Sequence, residues 1–297
     1  MRFVSVIVPA YENVGALRSC LEALSCQSYP PGSFEILVVD NAPRARLEGE
    51  LARFYPGVVF CHEPKPGPSA ARNHGVARAR GELLAFLDSD CRPDPDWIAN
   101  GAKNAERLGP RQVVAGEIVI VVKDAARPTL VELYDRVFYL KQKKYVECFK
   151  SASTANLFVF REAMAVAGGF DEAIRSGQDG EWSARAIARG LGLAYCPDVR
   201  VSHPARRTFG EFLRVARRHA YGMLKTWGGS GHPADTRSFS SKFADWRRAV
   251  FSDRSMGPRQ KLGVALLDLL KMILVRMEIL RLRLGGGLSG DGGFSER

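Results

Sequence analysis

Three short apolar runs, separated by segments of helical character, occupy the first ninety residues of this 297-residue chain. The runs lie at residues 4–8, 35–40 and 83–87, and each is bounded by turn-forming residues. Such runs are typical of buried strands, and the intervening segments either carry apolar residues at helical spacing or are bounded by proline and glycine. Strands that alternate with helices predict βαβ units around a mainly parallel sheet, so we expect an α/β fold.

Aspartates lie at the ends of two of these predicted strands. Asp40 ends the second run and Asp88 follows the third, and in an open α/β sheet ligands bind in the crevice outside the carboxyl ends of the strands. The turn Asp88-Ser89-Asp90 also offers two carboxylates, the kind of oxygen ligand that Mg²⁺ and Mn²⁺ prefer. We therefore predict a metal site that holds a phosphorylated substrate. The alternative is that these aspartates only form turns or cap a helix.

Positive charge is concentrated in the C-terminal part of the chain, whose formal net charge is +11. Residues 206–261 contain thirteen Lys or Arg against four Asp or Glu, a net charge of +9. This bias suits an anionic membrane surface, a nucleic acid or a phosphorylated substrate, or it marks a solvated surface. No stacking-aromatic motif accompanies the basic segment, so we do not expect nucleic acid as a partner.

The character of the chain changes near residue 205. We predict an α/β domain over residues 1–205 that carries the site, a basic and amphipathic helical extension over residues 206–284, and a disordered tail over residues 285–297. Charges interrupt residues 261–284 too often for a membrane-spanning helix, which needs about 20 largely apolar residues. The last helix is expected to lie in a membrane interface, or to pack on the α/β domain or on a second subunit.

The cysteines and the N-terminus predict a location inside the cell. The six cysteines form no C-x-x-C pair and have no regular spacing, which is typical of free thiols in a reducing compartment. The first apolar run ends at Pro9 and is too short for a signal peptide or a membrane span. We therefore predict a cytoplasmic protein. The basic helices and the amphipathic C-terminal segment further predict a peripheral position on the inner face of the cell membrane.

Seven segments together resemble the family 2 glycosyltransferases of the GT-A fold. They occur in the order and spacing of that family and begin at residues 4, 36, 67, 81, 155, 168 and 177. The segments are VSVIVPAYEN, ILVVDN, GPSAARNHG, GELLAFLDSD, ANLFVFRE, GGFDE and GQDGEW. The resemblance covers about residues 1–205, and its specificity comes from the number of segments, since no single one is decisive.

The resemblance implies both a fold and an activity. The fold would be a Rossmann-like, mixed and mainly parallel sheet flanked by helices, with a C-terminal helical extension. The activity would be transfer of a sugar, of the hexosyltransferase type, from a UDP- or GDP-sugar to an acceptor hydroxyl. The reaction would be inverting and would depend on Mn²⁺ or Mg²⁺. A glycan or lipid-linked acceptor, as in the synthesis of cell-envelope glycans or glycolipids, is the expected partner.

The same resemblance implies roles for particular residues. Asp179 would be the base that deprotonates the acceptor hydroxyl, and Asp90, Asp88 and His203 would hold the metal. Gln178, which stands where the family has glutamate, and Trp182 would contact the acceptor. The residues implied in nucleotide binding are Pro9, Tyr11, Glu12, Asp40, Arg72, Asp88 and Ser89.

Two other functions are weighed against this one. A nucleotidyltransferase that makes the sugar nucleotide would have a glycine-rich loop with a Lys or Arg after the first strand, where this chain has Pro9-Ala-Tyr-Glu-Asn13. A non-catalytic glycan- or lipid-binding protein on the same fold would have no need of the full set of aspartates. That set consists of Asp40, Asp88, Asp90 and Asp179.

Overall fold

The computed structural model describes residues 1–44, 46–227 and 239–284. The chain divides into two compact units. The first unit consists of residues 1–123 and 139–204, and the second consists of residues 124–138 together with the chain from Ala205 onward. Residues 285–297, for which a disordered tail is predicted, lie outside the described residues.

Strands and helices alternate along the first unit, and helices make up the second. The strands are β1 (Val4–Ala10), β2 (Phe34–Asp40), β3 (Val58–His62), β4 (Leu83–Leu87), β5 (Arg92–Pro93), β6 (Gln112–Val121), β7 (Asn156–Phe160) and β8 (Gly192–Pro204). The helices are α1 (Val14–Ser25), α2 (Leu47–Leu51), α3 (Pro68–Arg78), α4 (Trp97–Leu108), α5 (Leu130–Phe138), α6 (Gln142–Phe149), α7 (Arg161–Ala167), α8 (Gln178–Ala188), α9 (Phe209–Trp227), α10 (Phe239–Phe251) and α11 (Pro258–Leu284).

All eight strands form one mixed sheet in the order β3-β2-β1-β4-β7-β6-β8-β5. The neighbours β1 and β2, β1 and β4, β2 and β3, and β6 and β8 are parallel. Strand β7 is antiparallel to both β4 and β6, and the two-residue β5 is antiparallel to β8. The prediction of a mixed, mainly parallel sheet flanked by helices is confirmed.

The central strands are buried along their whole length because helices cover both faces of the sheet. All five residues of β4 and all five of β7 are buried, as are six of the seven in β1. Continuous apolar runs, rather than alternating ones, are typical of strands covered on both faces. The apolar runs in the sequence therefore predicted the positions of β1, β2 and β4 well.

The side chain of Asn156, the first residue of β7, makes buried hydrogen bonds to α4, β6 and β8. Its Oδ1 accepts a hydrogen bond from Trp97 Nε1 at 2.9 Å, and its Nδ2 donates to the carbonyl oxygens of Glu117 and Val199 at 2.8 and 2.9 Å. Strand β6 is irregular here, because its pairing with β8 shifts register after Gly116. A Cβ at Gly116 would lie 2.2 Å from the Val199 carbonyl oxygen, so only glycine fits.

The second unit is built on an apolar cluster to which α5, α9, α10 and α11 contribute. Polar contacts lie at the edge of this cluster. Asp135 accepts two hydrogen bonds from the Arg206 guanidinium, at 2.5 and 2.7 Å, and Asp268 accepts from Tyr134 and Trp246 at 3.0 and 2.9 Å. The predicted C-terminal helical extension is confirmed. Among the described residues, no helix is both long and apolar enough to cross a membrane.

Candidate active site

The sheet topology brings the predicted site residues of the first unit to one edge. Strands β2 and β4 run in the same direction, so Asp40 and Asp88 lie at the same edge. Strand β7 runs the opposite way and pairs Asn156 with Leu87, which puts Thr154 there too. Strands β6 and β8 run parallel to β4, so His203, near the end of β8, reaches the same edge. In open α/β sheets this is the edge where ligands bind.

Arg72 and Asp88 form an ion pair at this edge. Arg72 lies on α3, which begins with Pro68 directly after Gly67. Its side chain is 5% exposed, and its Nη2 donates to Asp88 Oδ1 at 2.9 Å, whereas the Asp88 side chain is one-third exposed. The arginine of this ion pair is therefore buried, whereas the aspartate is partly open to solvent.

The remaining nitrogens of the Arg72 guanidinium are buried without a protein partner. Neither Nε nor Nη1 has a hydrogen-bond acceptor among the described residues. The face of the Phe170 ring lies 5.9 Å from the guanidinium carbon, and an aromatic face satisfies part of the positive charge but accepts no ordinary hydrogen bond. A buried polar group without a partner costs free energy unless a ligand or water supplies one. These N–H groups are therefore suited to an anionic ligand.

Asp179 lies in the first turn of α8, where Thr154 holds both of its carboxylate oxygens. Thr154 Oγ1 donates to Oδ1 at 2.9 Å, and the Thr154 backbone N–H donates to Oδ2 at 3.3 Å. Burial raises the pKa of the Asp179 carboxyl; Arg72 lowers it, Asp88 raises it, and the Thr154 hydrogen bonds lower it. A carboxylate that is oriented by two donors and whose pKa is raised is suited to accept a proton.

His203 and Asp90 contact each other at the same edge of the sheet. His203 Nδ1 lies 2.8 Å from the Pro204 carbonyl oxygen and donates to it, and His203 Nε2 lies 3.3 Å from Asp90 Oδ2. Either a proton or a cation between Nε2 and the carboxylate oxygen makes a contact of this kind favourable. A backbone carbonyl that orients the ring in this way is also the usual support of a histidine that binds a metal.

The donor atoms of Asp90, His203 and Cys91 lie within 4.8 Å of one another. Burial and the charges of Asp88 and Asp90 raise the pKa of the Cys91 thiol well above its usual range. Sulfur is a soft ligand, whereas carboxylate and imidazole suit Mn²⁺ or Mg²⁺ better. The residues present therefore fit a divalent cation held by Asp90 and His203, with the other positions left to water or substrate oxygens.

Asp40 has the turn-forming role that the sequence offered as the alternative to ligand binding. Its buried carboxylate accepts hydrogen bonds from the backbone N–H groups of Ala42, Arg46 and Leu47, at 3.0, 2.8 and 3.1 Å. These bonds connect the end of β2 to the residues on either side of position 45 and to the start of α2. The next residue, Asn41, ties the same strand end to the loop before α3, because its Oδ1 accepts from Gly67 N at 2.8 Å. Recognition of a nucleotide base by Asp40 stays a prediction.

The other residues predicted to bind nucleotide lie at the ends of β1 and β4. Pro9 is in β1, paired with Val39 of β2, and Tyr11 is partly exposed just after the strand. Glu12 has a backbone φ of 49°, in the left-handed region that residues other than glycine adopt only rarely. Ser89 is half-buried between Asp88 and Asp90. These positions border the edge described above, and their nucleotide contacts stay predictions.

The two residues predicted to contact the acceptor differ in environment. Gln178 Oε1 is buried and has no hydrogen-bond partner among the described residues. Trp182, by contrast, is fully buried, donates from Nε1 to the Gly168 carbonyl oxygen at 2.9 Å and packs against Phe170, with 5.5 Å between ring centroids. The structure gives Trp182 a packing role, and contact with an acceptor stays a prediction for both residues.

Thr154 was missed in the sequence analysis. Its position just before the segment that starts at Ala155 was the only signal available, and that signal is weak. Its importance lies in its two hydrogen bonds to Asp179, which is 25 residues further along the chain.

Comparisons with known proteins agree with this architecture. The family model described as glycosyl transferase family 2 matches residues 5–163. The glycosyltransferase AglE of Haloferax volcanii is 33% identical over 76% of this chain and 74% of its own length. A Methanococcus voltae transferase is 21% identical over 76% of this chain and 73% of its own length, and its name describes transfer of a diacetamido-dideoxy-glucuronosyl group to dolichyl N-acetyl-α-D-glucosaminyl phosphate.

A solved structure has a similar fold. The mannosyltransferase PcManGT of Pyrobaculum calidifontis, in complex with GDP-Man and Mn²⁺, superposes with a TM-score of 0.57 over 97% of this chain and 80% of its own. The sequence identity is 19%, so the likeness shows the fold alone. The predicted GT-A fold is confirmed.

Proposed function

The chain belongs to glycosyl transferase family 2, and from that premise we propose that it transfers a sugar from a nucleoside-diphosphate donor to an acceptor hydroxyl, with inversion at the anomeric carbon and with Mn²⁺ or Mg²⁺ as cofactor. The observation that carries the proposal is the pairing of Asp179 with Thr154 beside Arg72 and Asp88. It combines an oriented base with an arginine that has N–H groups to offer to a phosphate.

In the proposed mechanism Asp179 accepts the proton of the acceptor hydroxyl. Two Thr154 donors fix the carboxylate, so its remaining lone pairs are oriented before the acceptor arrives. The raised pKa increases its basicity, while Arg72 keeps enough of the group ionised to act. Loss of the hydroxyl proton makes the acceptor oxygen a nucleophile that attacks the anomeric carbon from the side opposite the leaving group. The bond from that carbon to the diphosphate oxygen breaks, and the nucleoside diphosphate leaves with the electron pair.

Arg72 is proposed to bind the diphosphate of the donor. Its buried Nε and Nη1 groups lack an acceptor among the described residues, and phosphate oxygens would supply one. Asp90 and His203 would hold the divalent cation, which, when bound, neutralises the charge that develops on the leaving diphosphate. Asp88 keeps the guanidinium in position from its other side.

A lipid-linked acceptor is the favoured partner. The name of the Methanococcus voltae relative describes an acceptor on a dolichyl phosphate, and the mannosyltransferase of similar fold was solved with GDP-Man. We propose a UDP- or GDP-sugar as the donor, an acceptor in a glycan or glycolipid pathway, and a peripheral position on the inner face of an anionic membrane.

The Asp179→Asn variant tests the proposed base. Asparagine preserves the shape and still accepts from Thr154, but it cannot take a proton at neutral pH. We expect transfer to fall by at least about a thousandfold while donor binding with Mn²⁺ stays within twofold of wild type. Asp171→Asn is the matched control, since Asp171 is exposed and its carboxylate accepts a hydrogen bond from the Ala173 backbone N–H at 2.9 Å.

The outcome that would remove Asp179 from this role is turnover of the Asp179→Asn protein close to that of wild type. The anomeric configuration of the product, read by NMR, tests inversion separately, because a product that retains the donor's configuration requires a different mechanism.

A further inference from the structure

Helix α11 packs on the second unit with one face and exposes the other. Val264 and Leu267 are buried, and Leu270 and Leu274 pack against the same apolar cluster. The opposite face carries seven apolar side chains that are between 46% and 79% exposed. We call this face the α11 stripe; it consists of Leu262, Leu266, Leu269, Ile273, Met277, Leu280 and Leu284.

The α11 stripe is straight and long. Its members are spaced three or four residues apart, which keeps them on one side of a helix with 3.6 residues per turn. From Leu262 to Leu284 the rise of 1.5 Å per residue gives a length of about 33 Å. Single exposed apolar residues are ordinary, but a continuous row of this length marks an interaction surface.

The charges beside the stripe are all positive. At about 100° per residue, four arginines fall within about 90° of the centre of the stripe, and the two acids of the helix fall more than about 130° away. The acids are already engaged: Asp268 accepts from Tyr134 and Trp246, and Glu278 accepts from Arg281 at 2.6 and 3.0 Å. The arginines along the stripe are Arg259, Arg276, Arg281 and Arg283.

An apolar row with a basic border fits an anionic lipid surface better than it fits protein. A second copy packed on the stripe would bring the arginine borders of the two helices together, which like-charge repulsion opposes even though Arg281 is paired with Glu278. A bilayer with anionic headgroups accepts both features, because apolar side chains enter the acyl boundary while arginines contact phosphates. The helix is too highly charged to cross the bilayer, so it would lie in the plane of the interface.

We propose that the α11 stripe and its arginine border bind an anionic membrane surface with the helix parallel to that surface. The inference extends the proposed function, since it supplies the part of the chain that would keep the enzyme at a lipid-linked acceptor. Binding itself needs neither donor nor acceptor and is measured without them.

Co-sedimentation with vesicles tests the proposal. The full chain is incubated with phosphatidylcholine vesicles that contain either no anionic lipid or 30 mol% (about one lipid in three) phosphatidylglycerol. We expect at least tenfold tighter binding to the anionic vesicles, weakening as salt is raised. The double variants Leu266→Gln/Ile273→Gln and Arg259→Gln/Arg276→Gln should each weaken binding at least tenfold.

Two matched control variants guard against a general effect of the substitutions. Val166→Gln/Ile187→Gln replaces two exposed apolar residues of α7 and α8, and Arg78→Gln/Lys103→Gln removes two exposed charges from α3 and α4. We expect both controls to bind anionic vesicles within twofold of wild type.

Three results would overturn the proposal. They are equal binding of wild type to neutral and anionic vesicles, unchanged binding of either stripe variant, and a dimer in sedimentation velocity that Leu266→Gln/Ile273→Gln abolishes. The last result would assign the stripe to a second copy. Vesicle binding by a protein with no transferase activity would contradict the proposed function alone, whereas transfer to a soluble acceptor without vesicle binding would contradict this inference alone.

Discussion

Replacing Arg72 with methionine separates ligand binding from stability. In the protein without ligand, the change removes the ion pair with Asp88 but also removes two buried N–H groups that have no acceptor among the described residues. Breaking a buried pair costs about 3–5 kcal/mol, and less here because Asp88 is one-third exposed. Two unsatisfied N–H groups cost about 1–3 kcal/mol each. The two effects oppose each other, so the free energy of unfolding should change by less than about 2 kcal/mol.

The effect on donor binding should be much larger. Hydrogen bonds to charged groups contribute about 1.5–3 kcal/mol each, so two lost bonds to the diphosphate amount to at least about 3 kcal/mol. That corresponds to a Kd for the donor nucleotide raised by roughly 100-fold or more. Isothermal titration calorimetry with UDP and with GDP, each with Mn²⁺ present, measures the change, and urea unfolding measures stability.

Arg161→Met is the matched control for this prediction. The Arg161 guanidinium donates to the carbonyl oxygens of Gly81 and Ala79, at 2.9 and 2.6 Å, and so connects the start of α7 to the chain just after α3. We expect this variant to lose stability while it keeps its affinity for the nucleotide. The reasoning fails if Arg72→Met binds the donor nucleotide as wild type does, or if Arg161→Met weakens binding as much.

Two further predictions concern hydrogen bonds that support the site. The Thr154→Val substitution removes the side-chain donor to Asp179, so we expect the pKa of Asp179 to rise. Because the base acts only when deprotonated, the acidic limb of the kcat/KM profile should move to higher pH. Thr154→Ser should restore the wild-type profile, and an unshifted limb in Thr154→Val would contradict the assignment. The Asn156→Ala substitution removes three buried hydrogen bonds, and we expect the free energy of unfolding, measured in urea, to fall by about 3 kcal/mol or more. An unfolding midpoint equal to that of wild type would contradict this expectation.

The elements of the fold were readable from the sequence because their signal is local. Continuous apolar runs at β1, β2 and β4 indicate strands buried on both faces, and the aspartates at their ends mark the edge where ligands bind. The family was predicted from several segments in order, and the match to the family model over residues 5–163 confirms it.

The grouping of residues 124–138 was not predicted. Nothing in their sequence indicates that they group with the C-terminal helices rather than with the sheet.

The partners of the site residues were not readable, because they depend on contacts between distant parts of the chain. Arg72 and Asp88 meet only when α3 packs on β1 and β2, and Thr154 reaches Asp179 only because β7 runs antiparallel to β4. For Asp40 the sequence left a ligand contact and a turn open. In the structure its carboxylate accepts hydrogen bonds from three backbone N–H groups, and a nucleotide contact stays a prediction.

The dependence of sugar transfer on a divalent cation held by Asp90 and His203 tests the account most directly. The assay measures transfer from a nucleoside-diphosphate sugar by wild type and by Asp90→Asn, after treatment with EDTA and during titration with Mn²⁺. The account predicts that EDTA abolishes wild-type transfer, that Mn²⁺ restores it, and that Asp90→Asn is not restored at concentrations that saturate wild type. Full transfer by EDTA-treated wild type, or restoration of Asp90→Asn at the wild-type Mn²⁺ concentration, would contradict it.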